Sequence, residues 1–219
     1  MTPPAVVRSG GLALLLALLP GCATPSDGAA DAAADATPAA ATPGNPGELE
    51  DLLVPAVPSG LPRVPDDSLT PPAGEKSVAD VAGYAEDPAR EREVLDDYGY
   101  RFGWERYWGS GSGPLTTVFA SQFHTVGGAG EFTADLAEHD AGVYGGVLSH
   151  DPPGLPTGCR LLVLADGAPE EGVAAPAAFA WCAHGAFSVA VTAVAGSAAA
   201  AEEEVRAVVT AQLERLPPS

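Results

Sequence analysis

The residues best suited to acid–base or metal chemistry are four histidines, His124, His139, His150 and His184, and a scatter of carboxylates. The histidines stand 15, 11 and 34 residues apart, so no His-x-x-x-His pair aims two imidazoles at one ion from a helix face. The pairs Asp66-Asp67, Asp96-Asp97 and Glu170-Glu171 and the run Glu202 to Glu204 lack the Asp-x-Asp-x-Asp-Gly spacing of a calcium loop and read as solvated helix ends and turns. Gly109-Ser110-Gly111-Ser112-Gly113 fails as a Gly-x-Ser-x-Gly nucleophile turn, because Trp108 and Ser110 stand where the first glycine belongs. Gly74-Glu75-Lys76-Ser77 lacks the glycine before lysine of a phosphate loop, and Gly128-Ala129-Gly130 lacks the third glycine of a dinucleotide fingerprint. No metal, no cofactor and no catalytic residue is assigned. Tertiary folding can still gather some of His124, His139, His150, Asp140 and Asp151 into an atypical hydrolase or transferase site, which stands as the alternative function.

The aromatic side chains are more concentrated. Six of the fourteen, Tyr98, Tyr100, Phe102, Trp104, Tyr107 and Trp108, fall within eleven positions. One reading is that they build the core against the last helix, each contributing roughly 2–3 kcal/mol by burial. The other places Tyr107 and Trp108, beside the glycine-rich tip, at the mouth of a groove that stacks on a sugar, a lipid chain or a partner loop. Arg101 and Arg106 are scarce cations beside these rings, placed either to clamp a carboxylate or to pair with the acidic surface.

Several elements must position these groups. Leu49, Leu52, Leu53 and Val54 form a short apolar segment laid over the domain, followed by a proline-punctuated stretch to Pro72. Ser77-x-x-Asp80 opens a helix as a capping box. Asp87-Pro88 opens a second, with Val94, Leu95 and Tyr98 on its apolar face and Gly99 closing it in a left-handed turn. The period then changes from 3.6 to 2, giving a strand over Tyr100 to Trp108, a turn at 109–114 and a return strand over Leu115 to His124. A helix is predicted over Glu131 to His139 behind a glycine-rich loop, and a weak strand over Val143 to Leu148. Strands follow at Arg160 to Ala165, Ala177 to Cys182 and Phe187 to Ala195. Ser197 caps the last helix, whose inward stripe is Val205, Val208, Val209, Leu213 and Leu216, with Glu202 and Arg206 paired at i, i+4 outside. This order predicts an α+β domain: an antiparallel sheet of about five to six strands with helices packed against it, an α/β sandwich.

The beginning of the chain is of a different kind. Arg8 precedes the apolar run Leu12 to Leu19, which is too short to span a bilayer of about 30 Å and reads as a cleaved export signal over residues 1–21. Leu19-Pro20-Gly21-Cys22 resembles the lipobox of bacterial lipoproteins, and that resemblance implies cleavage before Cys22 and a diacylglyceryl group on its sulfur. Residues 22–47, rich in Ala, Pro and Asp, are predicted to be a disordered tether some tens of ångströms long. Residues 48–219 are the single globular domain. With Cys22 lipidated, Cys159 and Cys182 form an even pair in an oxidising compartment and are predicted to be disulfide-bonded, the rival being two inert buried thiols.

A formal net charge of −19, with Lys76 the only lysine, repels phosphate backbones and anionic headgroups. Nucleic acid is therefore excluded as a partner, and membrane attachment rests on the lipid at Cys22. Taken with the Gly99-Tyr-Arg-Phe-Gly-Trp-Glu-Arg-Tyr-Trp108 strand, the following Val118-Phe-Ala-Ser-Gln-Phe123 and the late cysteines, the chain resembles small uncharacterised actinobacterial lipoproteins, some with a PsbP/Mog1-like sandwich. The resemblance implies a tethered accessory or binding module; with the anchor and the aromatic strand pair, the expected function is a non-enzymatic module, lipid-anchored on the outer face of the cytoplasmic membrane and engaging a cell-envelope protein or an apolar or sugar ligand. It assigns no residue a role beyond Cys22.

Overall fold

A computed structural model describes residues 41–109, 113–169, 172–173 and 175–218. The predicted export signal, Cys22 and most of the predicted tether lie outside these residues, as do Ser110, Gly111 and Ser112 of the predicted turn.

Seven antiparallel strands, β1 (Gly74–Lys76), β2 (Tyr100–Gly109), β3 (Leu115–Phe123), β4 (Ser149–His150), β5 (Cys159–Leu164), β6 (Ala177–His184) and β7 (Phe187–Val194), form one sheet in the order β1-β2-β3-β7-β6-β5-β4. The α+β class is as the sequence predicts. The strand count exceeds five to six because both edges are closed by pieces of two or three residues, too short to show a period in sequence. Five helices, α1 (Pro46–Glu50), α2 (Val78–Ala82), α3 (Pro88–Tyr98), α4 (Val126–Tyr144) and α5 (Ala198–Leu213), cover the sheet.

Alternation along the strands divides the core in two. Val189, Val191 and Ala193 of β7 and Ala178, Ala180 and Cys182 of β6 pack under α5 and the α1 segment, against Val205, Val208, Val209, Leu49 and Leu53. Leu162, Leu164, Ala177, Phe179 and Trp181 point to the opposite face and pack under α4. A third cluster, Val81, Ala82, Leu95, Tyr100, Phe123, Ala129 and Phe132, joins α2 and α3 to the start of α4. Cys159 and Cys182 are directly paired across β5 and β6 and form a disulfide.

The helix starts follow the chemistry in the sequence. Ser77 and Asp80 make a reciprocal capping box, the Ser77 contacts holding the Asp80 carboxyl below its usual value. Asp87 accepts from the Ala89 and Arg90 amides, and Gly99 ends α3 at φ 74°. The fourth helix differs from its predicted span of 131–139. Thr125 caps it, so Gly127, Gly128 and Gly130 lie inside its first turns, and it runs on to a left-handed Gly145. The space explains Gly128: a Cβ there would stand 1.9 Å from the Tyr98 carbonyl oxygen. Residues 143–148 accordingly contain the helix end, and the strand that follows is Ser149–His150.

Candidate functional site

The segment between α1 and β1 builds the site. Beyond α1 it crosses the α5 face as a strap whose backbone is fixed by long side chains. Gln212 accepts from the Val54 amide and donates to the Leu52 carbonyl, both at 3.0 Å, and Arg106 donates to the Val54 carbonyl at 2.9 Å. Farther along, Glu204 accepts from the Ser59 amide at 3.0 Å and its hydroxyl at 2.6 Å. The strap then pairs with the outer edge of β2, the Val64 amide donating to Tyr107 and the Gly109 amide to Pro62. Residues 65–73 leave that edge as a loop closed at its base by Ala73 N–H to the Asp66 carbonyl, 3.0 Å, and by the Arg63–Asp66 ion pair, 2.6 Å. The chain rejoins β2 as β1, with Gly74 to Lys76 opposite Gly103 to Glu105.

The excursion leaves a cleft of about 430 Å³ lined by Leu69, Thr70, Pro71, Tyr84, Glu105 and Tyr107. That volume lies at the lower end of the roughly 300–1,000 Å³ common for small-molecule sites. Its floor is ionic. Lys76, 3% exposed, meets Glu105, 8% exposed, with Nζ 3.1 Å from Oε2. Tyr84 donates its hydroxyl to the same Oε2 at 3.2 Å, and Nζ also donates to the Pro72 carbonyl. The Lys76 ammonium lies 5.6 Å from the centre of the Tyr84 ring, a ring that is 49% exposed. Burial alone would depress Lys76, but Tyr84 and Glu105 outweigh it and the ammonium titrates above its ordinary value. Burial pushes the Glu105 carboxyl up, with Lys76 and Tyr84 offsetting part of the rise. The Tyr107 hydroxyl is raised by burial as well. The floor is thus a charge-compensated pair in which both internal partners of Glu105 use Oε2. Oε1 of Glu105 and the hydroxyl of Tyr107 have no hydrogen-bond partner among the described residues and are open to solvent.

The four candidates of the aromatic strand separate. Tyr107 lines the cleft. Trp108 points to the α5 face and is 1% exposed, inside the core, because adjacent residues of a strand face opposite ways. Arg106 shares the Trp108 face and donates to the Leu53, Val54 and Glu50 carbonyls, holding the strap. The guanidinium of Arg101 lies 5.0 Å from the Phe102 ring centre. Lys76, Tyr84 and Glu105 were missed as site residues. The available signal was the single lysine, retained in a chain that otherwise uses arginine and set beside a capping box.

The histidines also separate. His124 lies where α3 turns into β2, its amide donating to the Gly99 carbonyl at 2.8 Å, and His184 pairs with the Pro217 carbonyl at 2.9 Å. His150 Nε2 stands 3.5 Å from a Glu138 carboxylate oxygen on α4. Asp140, on the same helix, is pushed up to about 6 by burial, partly offset by His139 and a hydrogen bond from Trp181. Asp151 caps its own turn through the Gly158 amide at 2.7 Å. Among the described residues no three His, Cys, Asp or Glu side chains gather as a metal site, and no helix is long and apolar enough to cross a membrane.

Fold and cleft together define an α+β sandwich domain, disulfide-bonded, with a tyrosine-walled cleft at one sheet edge. No protein-family model and no curated protein matches the chain. Among solved structures, the extracellular domain of PknH from Mycobacterium tuberculosis is similar, with a TM-score of 0.48 and 12% identity over 80% of this chain and 97% of that one. A likeness this distant decides nothing about activity.

Proposed function

We propose that the chain is a lipid-anchored extracytoplasmic binding module of the cell envelope that uses the cleft of Tyr84, Glu105 and Tyr107 rather than catalysing a reaction. The observation that carries the binding role is a 430 Å³ cleft holding two polar groups, Glu105 Oε1 and the Tyr107 hydroxyl, that the chain itself leaves unpartnered. Solvent reaches both atoms, and a carboxylate oxygen open beside two aromatic rings offers a ligand an acceptor that the chain does not occupy. The same carboxylate is tied to Lys76 and Tyr84, which suits fixed recognition better than proton transfer. Location rests on the cysteines. With Cys159 and Cys182 bonded to each other, Cys22 is the third of three and follows the apolar leader, and disulfides persist in oxidising compartments.

The anchor is tested by expressing the full chain and Cys22→Ser in a bacterial host that processes lipoproteins, then fractionating the cells. The expected outcome is membrane sedimentation of the wild type, with a mature N-terminal Cys22 bearing a diacylglyceryl mass, and release of the variant. A wild-type chain recovered soluble with its leader intact would sink the proposal.

A further inference from the structure

We infer that the cleft takes a neutral saccharide ring, which stacks on Tyr84 and Tyr107 and donates a hydroxyl to Oε1 of Glu105 while Lys76 acts as the positioning residue behind it. This inference rests on the binding role proposed above and narrows it to one ligand class.

Each alternative chemistry meets an obstacle in the cleft. An anionic ligand faces the Glu105 carboxylate within a chain of net charge −19. An apolar chain would cover Oε1 without giving it a donor, and a desolvated, unpaired carboxylate oxygen costs more than the apolar contact returns. A cation meets a floor whose negative charge Lys76 already compensates at 3.1 Å, with the Lys76 ammonium 5.6 Å from the Tyr84 ring. A saccharide avoids all three: its carbon-bound hydrogens suit the tyrosine rings, and its hydroxyls supply donors without charge.

Lys76 gives the site its geometry. The ammonium contacts Glu105 Oε2, the Pro72 carbonyl and Tyr84, and Tyr84 donates to the same Oε2. With Oε2 held from two sides, the carboxylate cannot rotate freely, and Oε1 stays available at the cleft.

The experiment uses the full chain in lipid nanodiscs and saturation-transfer NMR. The probes are cellobiose, maltotriose and N,N′-diacetylchitobiose as neutral saccharides, choline as a cation and decanoate as an apolar anion. The expected result is saturable binding of at least one saccharide, with transfer from tyrosine ring protons. Tyr107→Phe should weaken it roughly three- to tenfold, because it keeps the stacking ring but removes the hydrogen bond that the otherwise unpartnered Tyr107 hydroxyl makes to a saccharide hydroxyl. Because the Tyr107 hydroxyl has no partner within the chain, that variant should keep the wild-type denaturation midpoint. Binding of choline or decanoate without any saccharide would overturn the saccharide class and leave the cleft as a binding site. Saccharide binding indifferent to Tyr107→Phe would overturn the placement, and silence of all five probes would remove the class and the cleft together.

Discussion

At the residue scale, the placement of the single lysine is the most consequential event. An ammonium as buried as Lys76 is tolerated only because Glu105, Tyr84 and the Pro72 carbonyl surround it, so removing the partner from Glu105 costs more than the ion pair itself contributes. Lys76→Met should lower stability by about 3 kcal/mol in urea denaturation, because it leaves the buried Glu105 carboxylate without its counter-ion. A loss below about 0.5 kcal/mol would mean that the pair is solvated. Asp140 behaves in the opposite sense. Its carboxyl titrates at about 6 in the fold, above the ordinary 3.8, so between these values the folded chain binds more protons than the unfolded one. The stability it permits is complete below about pH 4 and is lost as pH rises through about 6. Asp140→Asn should therefore raise the thermal midpoint at pH 7.5, with a gain of at most about 3 kcal/mol that vanishes near pH 3.5. A pH-independent effect would assign Asp140 another role.

At the element scale, the glycines at 127, 128 and 130 separate what sequence conveys from what packing decides. Local propensity places three glycines in a loop, yet they open α4, because Thr125 caps the helix and its first turn must approach the end of α3. Gly128→Ala should destabilise the chain by about 3 kcal/mol, since its Cβ would lie 1.9 Å from the backbone oxygen of Tyr98, which no side-chain rotation relieves. Gly130→Ala, with open space around it, is the control and should be neutral or slightly stabilising by urea denaturation. The other helix starts were legible because their signals are local: the Ser77–Asp80 box, Asp87-Pro88 and Ser197 each satisfy free amides within three residues. The edge strands β1 and β4 were not, since two or three residues hold no period and exist by pairing with β2 and β5.

At the scale of the whole molecule, charge and the alternation of apolar residues are written in the chain, and they specify an acidic α+β domain. The proposed loss of membrane attachment in Cys22→Ser belongs to this scale, because it depends on the first 22 residues and on nothing in the sheet. Short-range periodicity made the strand pair of residues 100–123 and the α5 stripe legible, and the cysteine count predicted the Cys159–Cys182 pairing once Cys22 is set aside. It marked Tyr107 and Trp108 together, but the pleat sends one to the cleft and the other to the core. The cleft itself comes from long-range contacts. Lys76 and Glu105 are separated by 29 positions, the difference of their numbers, and Glu105 reads in sequence as an outward strand residue. They meet because the strap and the 65–73 loop carry β1 to the edge of β2, and contacts that depend on where a loop rejoins a sheet leave no local pattern to read.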